Sequence, residues 1–183
     1  TTEIYTLSLH DALPIWTVNV TSAELAGGAL RDVGCYCVNV ARLLTGLEPA
    51  RVSAFERRST VDDTVVALLD FPNGVLAQCE TSIASFERHR VEVTGTTGAI
   101  VLEQPWVPGE AATGFTLHRK GKPDEWIAVL GTNAYQLQVE HFVEVARGRA
   151  IARWELDDAV ANMRVLDAIA ASARERRVVE LGG

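Results

Sequence analysis

Apolar and polar residues follow two different periods along the chain, and the change of period divides it into regions. Between Gly27 and Gly46 the apolar residues recur every three or four positions, which predicts a loop followed by an α-helix over about 30–44. Gly46 provides a stop signal at the helix C-terminus. The core-facing stripe of this helix is predicted to be Val33, Cys37, Val40, Ala41 and Leu44.

From residue 51 onwards the pattern alternates with a period of two, which predicts β-strands. The predicted strands lie at 51–57, 62–71 and 75–83, in a hairpin over 90–104, and in a pair at 115–120 and 125–130. Pro-Asn-Gly at 72–74 predicts a turn between the second and third strands. Two helices, at 135–147 and about 156–176, are predicted to close the chain.

Helices and strands are grouped along the chain, which predicts an α+β domain with an antiparallel sheet. Strand 62–71 has two faces that are both largely apolar, whereas a sheet with one wet face should alternate more cleanly. The first face consists of Thr64, Val66, Leu68 and Asp70, and the second of Val65, Ala67, Leu69 and Phe71. We therefore expect helices to cover one face of the sheet and a second subunit to cover the other.

The first fifteen residues follow neither period. They contain no Lys or Arg, which excludes a secretory or mitochondrial targeting segment, and a loosely ordered arm is the alternative. Back-translated, TTEIYTLSLHDALPI agrees at all fifteen positions with one frame of a widely used sequencing adapter. We predict that residues 1–15 are adapter-derived and non-native, that 16–183 form one domain, and that the sequence preceding Trp16 is missing.

Composition narrows the class of protein. A formal net charge of −7 disfavours binding to nucleic acid or to anionic membranes, because phosphate contacts need clustered Lys and Arg. No run approaches the roughly 20 apolar residues of a membrane span. Three cysteines without a CxxC pair favour free thiols in a reducing cytoplasm over a disulfide framework. His89, His118 and His141 are scattered, so no metal site is predicted.

The predicted first helix has a second, polar face. Asp32, Tyr36 and Asn39 lie at i, i+4 and i+7, and Gly34 lies between them, where it indicates a close approach to the backbone. A phenol beside a carboxylate can relay a proton to or from a substrate oxygen. The alternative is a half-buried Tyr36 whose hydroxyl bonds to Asp32 or Asn39.

The segment GGALRDVGCYCVNVARLLTG, at 27–46, resembles the start of the C-terminal domain in the Gfo/Idh/MocA family of oxidoreductases. The family pattern is a Gly-Gly run followed by Asp-x-Gly-x-His/Tyr-x-x-Asp/Asn. It is matched here by Gly27, Gly28, Asp32, Gly34, Tyr36 and Asn39. Further resemblance follows in FPNGVLAQ at 71–78, in VEVTGTTGAIVLE at 91–103 and in the closing helices, so it covers nearly all of 16–183.

The resemblance implies an open, mostly antiparallel sheet that pairs with its counterpart in homodimers or homotetramers. It also implies an N-terminal Rossmann domain that binds NAD or NADP, with the active site between the two domains. Asp32 would position or polarise a sugar or polyol hydroxyl, Tyr36 would be the general acid/base, and Asn39 would be a weaker substrate contact. Tyr at position 36 points to the glucose–fructose oxidoreductase, sugar dehydrogenase and dihydrodiol dehydrogenase branch.

The chain departs from the family by having no GxGxxG and no Glu-Lys-Pro motif. TGTTG at 94–98 is predicted to be a hairpin turn, because no helical pattern follows it. No cofactor-binding residue is therefore assigned, and the chain alone is not expected to transfer hydride. Two alternatives stay open, namely a non-catalytic binding or scaffold domain and a family member that uses NAD transiently for glycoside cleavage.

Overall fold

The computed structural model describes the backbone of residues 4–10 and 17–182 and the side chains from residue 19 to 182. The helices are α1 (Thr17–Val20), a π-helix (Leu30–Gly34), α2 (Cys35–Thr45), α3 (Ala134–Ala146) and α4 (Leu156–Glu175). The strands are β1 (Ile4–His10), β2 (Arg51–Arg58), β3 (Asp62–Asp70), β4 (Leu76–Ser82), β5 (His89–Thr94), β6 (Gly98–Leu102), β7 (Thr113–Arg119), β8 (Glu125–Val129) and β9 (Val179–Glu180).

The described strands form one open sheet in the order β8-β7-β6-β5-β1-β4-β3-β2-β9. Every neighbouring pair is antiparallel except β1 and β4, which run parallel. The predicted α+β class and mostly antiparallel sheet are confirmed. The strands that alternate clearly in sequence begin and end within about two residues of their predicted bounds, which is the usual uncertainty of element ends.

Strand β1 lies inside the segment that the sequence analysis excludes from the domain. It nevertheless occupies the middle of the sheet, where Leu7 is in register with Cys79 of β4 and with Val91 of β5. The interpretation that the first fifteen residues follow no strand period was therefore wrong for Ile4–His10. Strand pairing is made by backbone groups, so a short segment can fill this position whatever its origin. Residues 1–3 and 11–15 lie outside the described residues, and the origin of 1–15 stays a prediction.

Two predicted turns are confirmed. Gly74 has a φ of 83° and donates its N–H to the carbonyl of Phe71 at 2.9 Å, which closes the turn between β3 and β4. Gly95 donates to the carbonyl of Gly98 at 2.9 Å between β5 and β6. The segment at 94–98 is therefore a hairpin turn and not a phosphate-binding loop.

One face of the sheet is covered by helices and the other is open. Helices α2 and α4 and the π-helix pack on the side that buries Val65, Ala67 and Leu69 of β3. On the opposite side Leu68 is 55% exposed and Phe55 of β2 is 73% exposed. The prediction that helices cover one face is confirmed, and the described residues leave the second apolar face uncovered.

The first predicted helix is not a single α-helix, and this prediction was wrong at its start. Leu30–Gly34 form a π-helix, in which the i→i+5 bonding takes more residues per turn than α-helical bonding. The buried positions consequently recur at four-residue intervals along two rows. These rows are Ala29, Val33, Cys37, Ala41 and Leu30, Gly34, Val38, Arg42. Leu44, which was predicted on the stripe, is 44% exposed.

Candidate functional site

The π-helix is fixed at its start by a contact with strand β3. Gly28 has a φ of 122°, and a Cβ atom there would overlap the carboxylate of Asp62. The Asp62 Oδ2 atom accepts a hydrogen bond of 2.7 Å from the backbone N–H of Leu30. A glycine at position 28 is therefore required both by the backbone conformation and by the approach of Asp62.

Gly34 allows the π-helix to lie against the sheet. A Cβ atom at this position would be 3.0 Å from Cδ1 of Leu30 and 3.4 Å from Cγ2 of Thr81 in β4. The close approach predicted from the sequence is therefore present, and it is made by the Leu30 side chain of the same helix, with Thr81 of the sheet at ordinary contact distance. This packing holds the candidate site on a rigid support, and π turns inside helices are frequent at functional sites.

Tyr36 presents its phenol at the edge of an aromatic cavity. Its side chain is 53% exposed, and its ring centroid lies 6.1 Å from that of Trp106 at an interplanar angle of 46°. A cavity of about 560 Å³ separates Tyr36 and the Trp106 loop from the start of α3. Its wall combines aromatic and polar side chains, including Tyr36, Trp106, Glu110, Asn133, Tyr135 and Gln138.

Asp32 lies one turn before Tyr36, in the π-helix, and is half-buried. Its backbone N–H donates to the carbonyl of Gly28 at 3.1 Å, and its own carbonyl accepts from Sγ of Cys35 at 3.5 Å. Burial raises the pKa of the Cys35 thiol, and the nearby negative charge of Asp32 adds to this effect. Cys35 is therefore held in its neutral form beside the site.

Asn39 is placed away from Tyr36. It lines a separate cavity of about 500 Å³ together with Leu43, Trp154 and Asp158. The structure does not bring Asn39 and Tyr36 into one cavity, although the sequence analysis places them on one helix face.

Arg42 organises a polar network that sequence reasoning missed. Its guanidinium is 7% exposed and donates from Nη2 to Glu48 at 2.7 Å and to Asp158 at 2.9 Å, with a further contact from Nη1 to Asn162 at 3.4 Å. Asn162 in turn donates to the carbonyl of Cys35 at 3.3 Å. The hydrogen bond with Glu48 is the main reason that the pKa of Arg42 is raised. The signal available in the sequence was that Arg42 directly follows Ala41 of the predicted core-facing stripe, which places a charged residue next to the core.

Asp62 leads to a prediction about pH. Burial raises the pKa of its carboxyl group, opposed by the hydrogen bond from Leu30. A raised folded-state pKa gives stability that is complete below the unfolded value of about 3.9 and is lost as the pH rises through the folded value. Asp62→Asn keeps an oxygen acceptor for Leu30 but does not titrate. The stability of the unsubstituted chain relative to this variant is therefore expected to fall as the pH rises from about 3 to 7.

Urea unfolding midpoints of the unsubstituted chain and of Asp62→Asn, measured across that pH range, check this prediction. Asp63→Asn, on the adjacent and less buried carboxylate, is the matched control. A stability difference that stays constant with pH for Asp62→Asn would contradict the account of the buried carboxyl.

The described residues lack two further kinds of feature. Within residues 4–10 and 17–182, no three His, Cys, Asp or Glu side chains are grouped to hold a metal ion. In the same part of the chain, no helix has the length and apolar character needed to cross a membrane.

Comparison with known proteins relates this chain to a family of oxidoreductases. A family model described as the GFO/IDH/MocA C-terminal domain matches residues 4–101. The D-xylose 1-dehydrogenase (NADP⁺) 2 of Haloferax volcanii is 32% identical over 162 residues, which cover 86% of this chain and 49% of that protein. The trans-1,2-dihydrobenzene-1,2-diol dehydrogenase of Oryctolagus cuniculus is 43% identical over 89 residues, covering 46% of this chain and 27% of that protein.

The fold itself is similar to that of a solved enzyme. The aldose-aldose oxidoreductase from Caulobacter crescentus superposes with a TM-score of 0.84 and 27% identity, covering 97% of this chain and 55% of that chain. The chain thus spans about half the length of the curated relatives that it matches over most of its own length.

Proposed function

This chain belongs to the GFO/IDH/MocA family, and we propose that it is the substrate-binding and oligomerisation domain of an NAD(P)-dependent oxidoreductase. The proposed reaction moves hydride between the carbinol carbon of a sugar or polyol and the nicotinamide. The observation that carries the proposal is the half-exposed phenol of Tyr36, which is held against Trp106 at the mouth of a cavity and lies one turn after Asp32.

The character of the cavity supports a sugar or polyol as the substrate. Aromatic faces at Tyr36, Trp106 and Tyr135 suit the C–H faces of a sugar ring, and Glu110 and Asn133 offer polar atoms to its hydroxyls. Glu110 already accepts a hydrogen bond of 2.9 Å from the Asn133 side chain, so these two groups are held in fixed positions. The named substrates of the relatives, D-xylose and aldoses, agree with this class.

In the proposed mechanism this chain handles the substrate and the proton. Asp32 positions the reacting hydroxyl, and Tyr36 in its phenolate form takes the proton from the carbinol oxygen and becomes a phenol, while the carbinol carbon gives up its hydrogen as hydride to the oxidised nicotinamide. Asn39, which lines a separate cavity, is assigned a lesser role as a substrate contact.

The nicotinamide supplies the hydride chemistry when it is bound. The glycine-rich segment at 94–98 forms a hairpin turn, so it does not fit the phosphates of a dinucleotide. NAD or NADP is therefore assigned to a separate domain, and the 183-residue chain alone is expected to be inactive.

We further propose that residues 1–15 are not part of the natural domain and that 16–183 derive from a longer cytoplasmic enzyme. The agreement of all fifteen residues with an adapter frame supports this. Strand β1 would then occupy the place of a natural strand between β4 and β5, since both of these present paired backbone groups to it.

The open face of the sheet is the proposed contact in a homodimer or homotetramer. Leu68→Glu is expected to convert the oligomer of the 183-residue chain to monomer, because a charge at the centre of an apolar interface is left unpaired. Val178→Glu is the matched control, since Val178 is 50% exposed but follows the end of α4. Sedimentation velocity measures the mass of each variant. An unsubstituted chain that is monomeric, or a Leu68→Glu variant that stays oligomeric, would contradict this assignment.

A fusion protein tests the proposed function. The N-terminal half of the Caulobacter enzyme, which precedes the part matched here, is joined to the N-terminus of this chain, and aldoses and polyols are tried with NAD⁺ and NADP⁺. We expect reduced nicotinamide to form in a sugar-dependent manner, with no reaction from the chain alone. A fusion that binds NADP⁺ and sugar without any reduction of NADP⁺ would favour the non-catalytic scaffold domain. Cleavage of a glycoside would favour the family member that uses NAD transiently for that reaction.

A further inference from the structure

The segment that carries Asp32 and leads into Tyr36 is held by two side chains from elsewhere in the chain. Asp32 lies in the π-helix and Tyr36 in the first turn of α2, so the placement of both depends on the path of this backbone. Ala29, the residue before the π-helix, makes no side-chain hydrogen bond to the first N–H groups. Those groups therefore need acceptors from another part of the chain.

Asp62, at the start of β3, supplies an acceptor at the N-terminal end of the π-helix. Its Oδ2 atom lies 2.7 Å from the backbone nitrogen of Leu30, and its Oδ1 atom lies 3.7 Å from Nη2 of Arg58. Asp62 is only 8% exposed, and the missing side chain of Gly28 leaves the space for its carboxylate. This contact joins the π-helix to a strand inside the sheet.

Asn162, in α4, makes the contact at the other end of the segment. Its side-chain nitrogen donates to the carbonyl of Cys35 at 3.3 Å, and its side-chain oxygen accepts from Nη1 of Arg42 at 3.4 Å. Because an arginine can only donate, Arg42 selects the oxygen of the amide and leaves the nitrogen for Cys35. Cys35 directly precedes Tyr36, so this contact holds the backbone beside the candidate acid/base.

We propose that Asp62 and Asn162 are positioning residues that hold the segment 30–35 at both ends and thereby direct Asp32 and Tyr36 to the substrate. The inference rests on the proposed function, in which this pair handles the reacting hydroxyl. Among the described residues, the wall of the cavity at Tyr36 includes neither Asp62 nor Asn162, so both act through the backbone. We name their two contacts, with Leu30 and with Cys35, the clamp.

The expected size of the effect follows from the geometry of catalysis. A displacement of about 1 Å in a catalytic group can cost about 10²-fold in rate. A π-helix is a rare conformation, so a segment that loses the contacts at its ends should shift or open locally. Loss of either contact should therefore slow the reaction although every reacting group is still present.

Amide hydrogen exchange of the 183-residue chain tests the clamp without any activity. Asp62→Ala removes the acceptor of Leu30 and should speed exchange of the amides at 30–36 at least about tenfold relative to those of β4, because local opening costs less. Asp62→Asn keeps an oxygen acceptor and should restore slow exchange to within about threefold of the unsubstituted chain. Asp63→Ala, at the adjacent and less buried carboxylate, is the control and should leave the exchange unchanged.

Steady-state kinetics of the fusion with the Caulobacter N-terminal half test the positioning role. Asp62→Ala and Asn162→Asp should each lower kcat per folded molecule by about 10–100-fold, with NADP⁺ binding unchanged. Asn162→Asp keeps the oxygen that faces Arg42 but removes the donor to Cys35. Asp62→Asn should restore kcat. In a Tyr36→Phe background Asp62→Ala should cost clearly less, because effects that act through the same group are not additive.

Three results would overturn or separate the proposals. Unchanged exchange at 30–36 in Asp62→Ala would overturn the clamp. Faster exchange with unchanged kcat, or a loss of kcat that Asp62→Asn does not restore and that adds fully to Tyr36→Phe, would overturn the positioning role. Faster exchange restored by Asp62→Asn, together with a fusion that binds NADP⁺ but shows no sugar-dependent reduction, would instead contradict the proposed function and leave the clamp standing.

Discussion

Tyr36→Phe is expected to lower kcat of the catalytically competent fusion by about 10²–10⁴-fold, the usual contribution of general acid–base catalysis. The substitution removes only the phenolic oxygen and leaves the ring against Trp106. Stability and NADP⁺ binding should therefore be unchanged, and the loss should fall on kcat more than on KM. Steady-state kinetics with the best aldose or polyol measure this effect.

Two comparisons decide whether the loss is specific to Tyr36. Tyr135→Phe removes a hydroxyl from the same cavity and should leave kcat close to that of the unsubstituted fusion. Asp32→Asn should lower kcat and raise KM together, because the carboxylate is assigned to positioning the substrate. A Tyr36→Phe variant that turns over at the unsubstituted rate would remove Tyr36 from the chemistry.

Arg42→Ala is expected to destabilise the chain by about 2–4 kcal/mol, the range for breaking a buried, charge-assisted network. The guanidinium joins α2 to the Glu48 loop and to α4 through Asp158. Its loss leaves the carboxylates of Glu48 and Asp158 without their cation. The expected cost is below that of a fully buried pair, because the side chains of Glu48 and Asp158 are 55% and 30% exposed and can be hydrated.

Urea unfolding of the 183-residue chain measures this cost. Arg51→Ala is the control, because Arg51 also forms a close ion pair, with Asp70 at 2.6 Å, but its side chain is 56% exposed. The midpoint of this control should move much less than that of Arg42→Ala, since exposed ion pairs contribute little to stability. Equal shifts for the two variants would show that the buried network does not stabilise the packing of α2 on α4.

Strands β2 to β8 and the last two helices were predictable because their signals are local, whereas β1 and β9 were not predicted. The hairpins are defined without any distant contact, by the alternation over 62–70 and by the turn residues at 72–74 and 94–98. The π-helix was not predictable in this way. It depends on the contact between Asp62 and the backbone of Leu30, which are 32 residues apart in the chain. The helical period of the sequence does not predict that contact.

The candidate site likewise combines residues that local sequence predicted with residues that only tertiary packing brings together. Asp32 and Tyr36 were identified through a family pattern that lies within one segment. The aromatic partner of Tyr36, Trp106, follows β6 far along the chain, and no sequence period links the two. The Arg42 network likewise joins residues 116 positions apart. Side chains brought together by tertiary packing become visible only in the structure.

Sequencing the source DNA upstream of the Trp16 codon tests the central claim most directly. The account predicts that the reading frame continues into roughly 120–150 further residues, the size of one ordinary domain. It also predicts that they contain GxGxxG between a strand and a helix, followed by Glu-Lys-Pro. A genome that encodes TTEIYTLSLHDALPI in place, or a stop and a start codon just before Trp16, would contradict it. With a stop and a start codon there, the chain would be a short protein in its own right, and the binding or scaffold function would replace the oxidoreductase. TTEIYTLSLHDALPI encoded in place would overturn the adapter origin of residues 1–15.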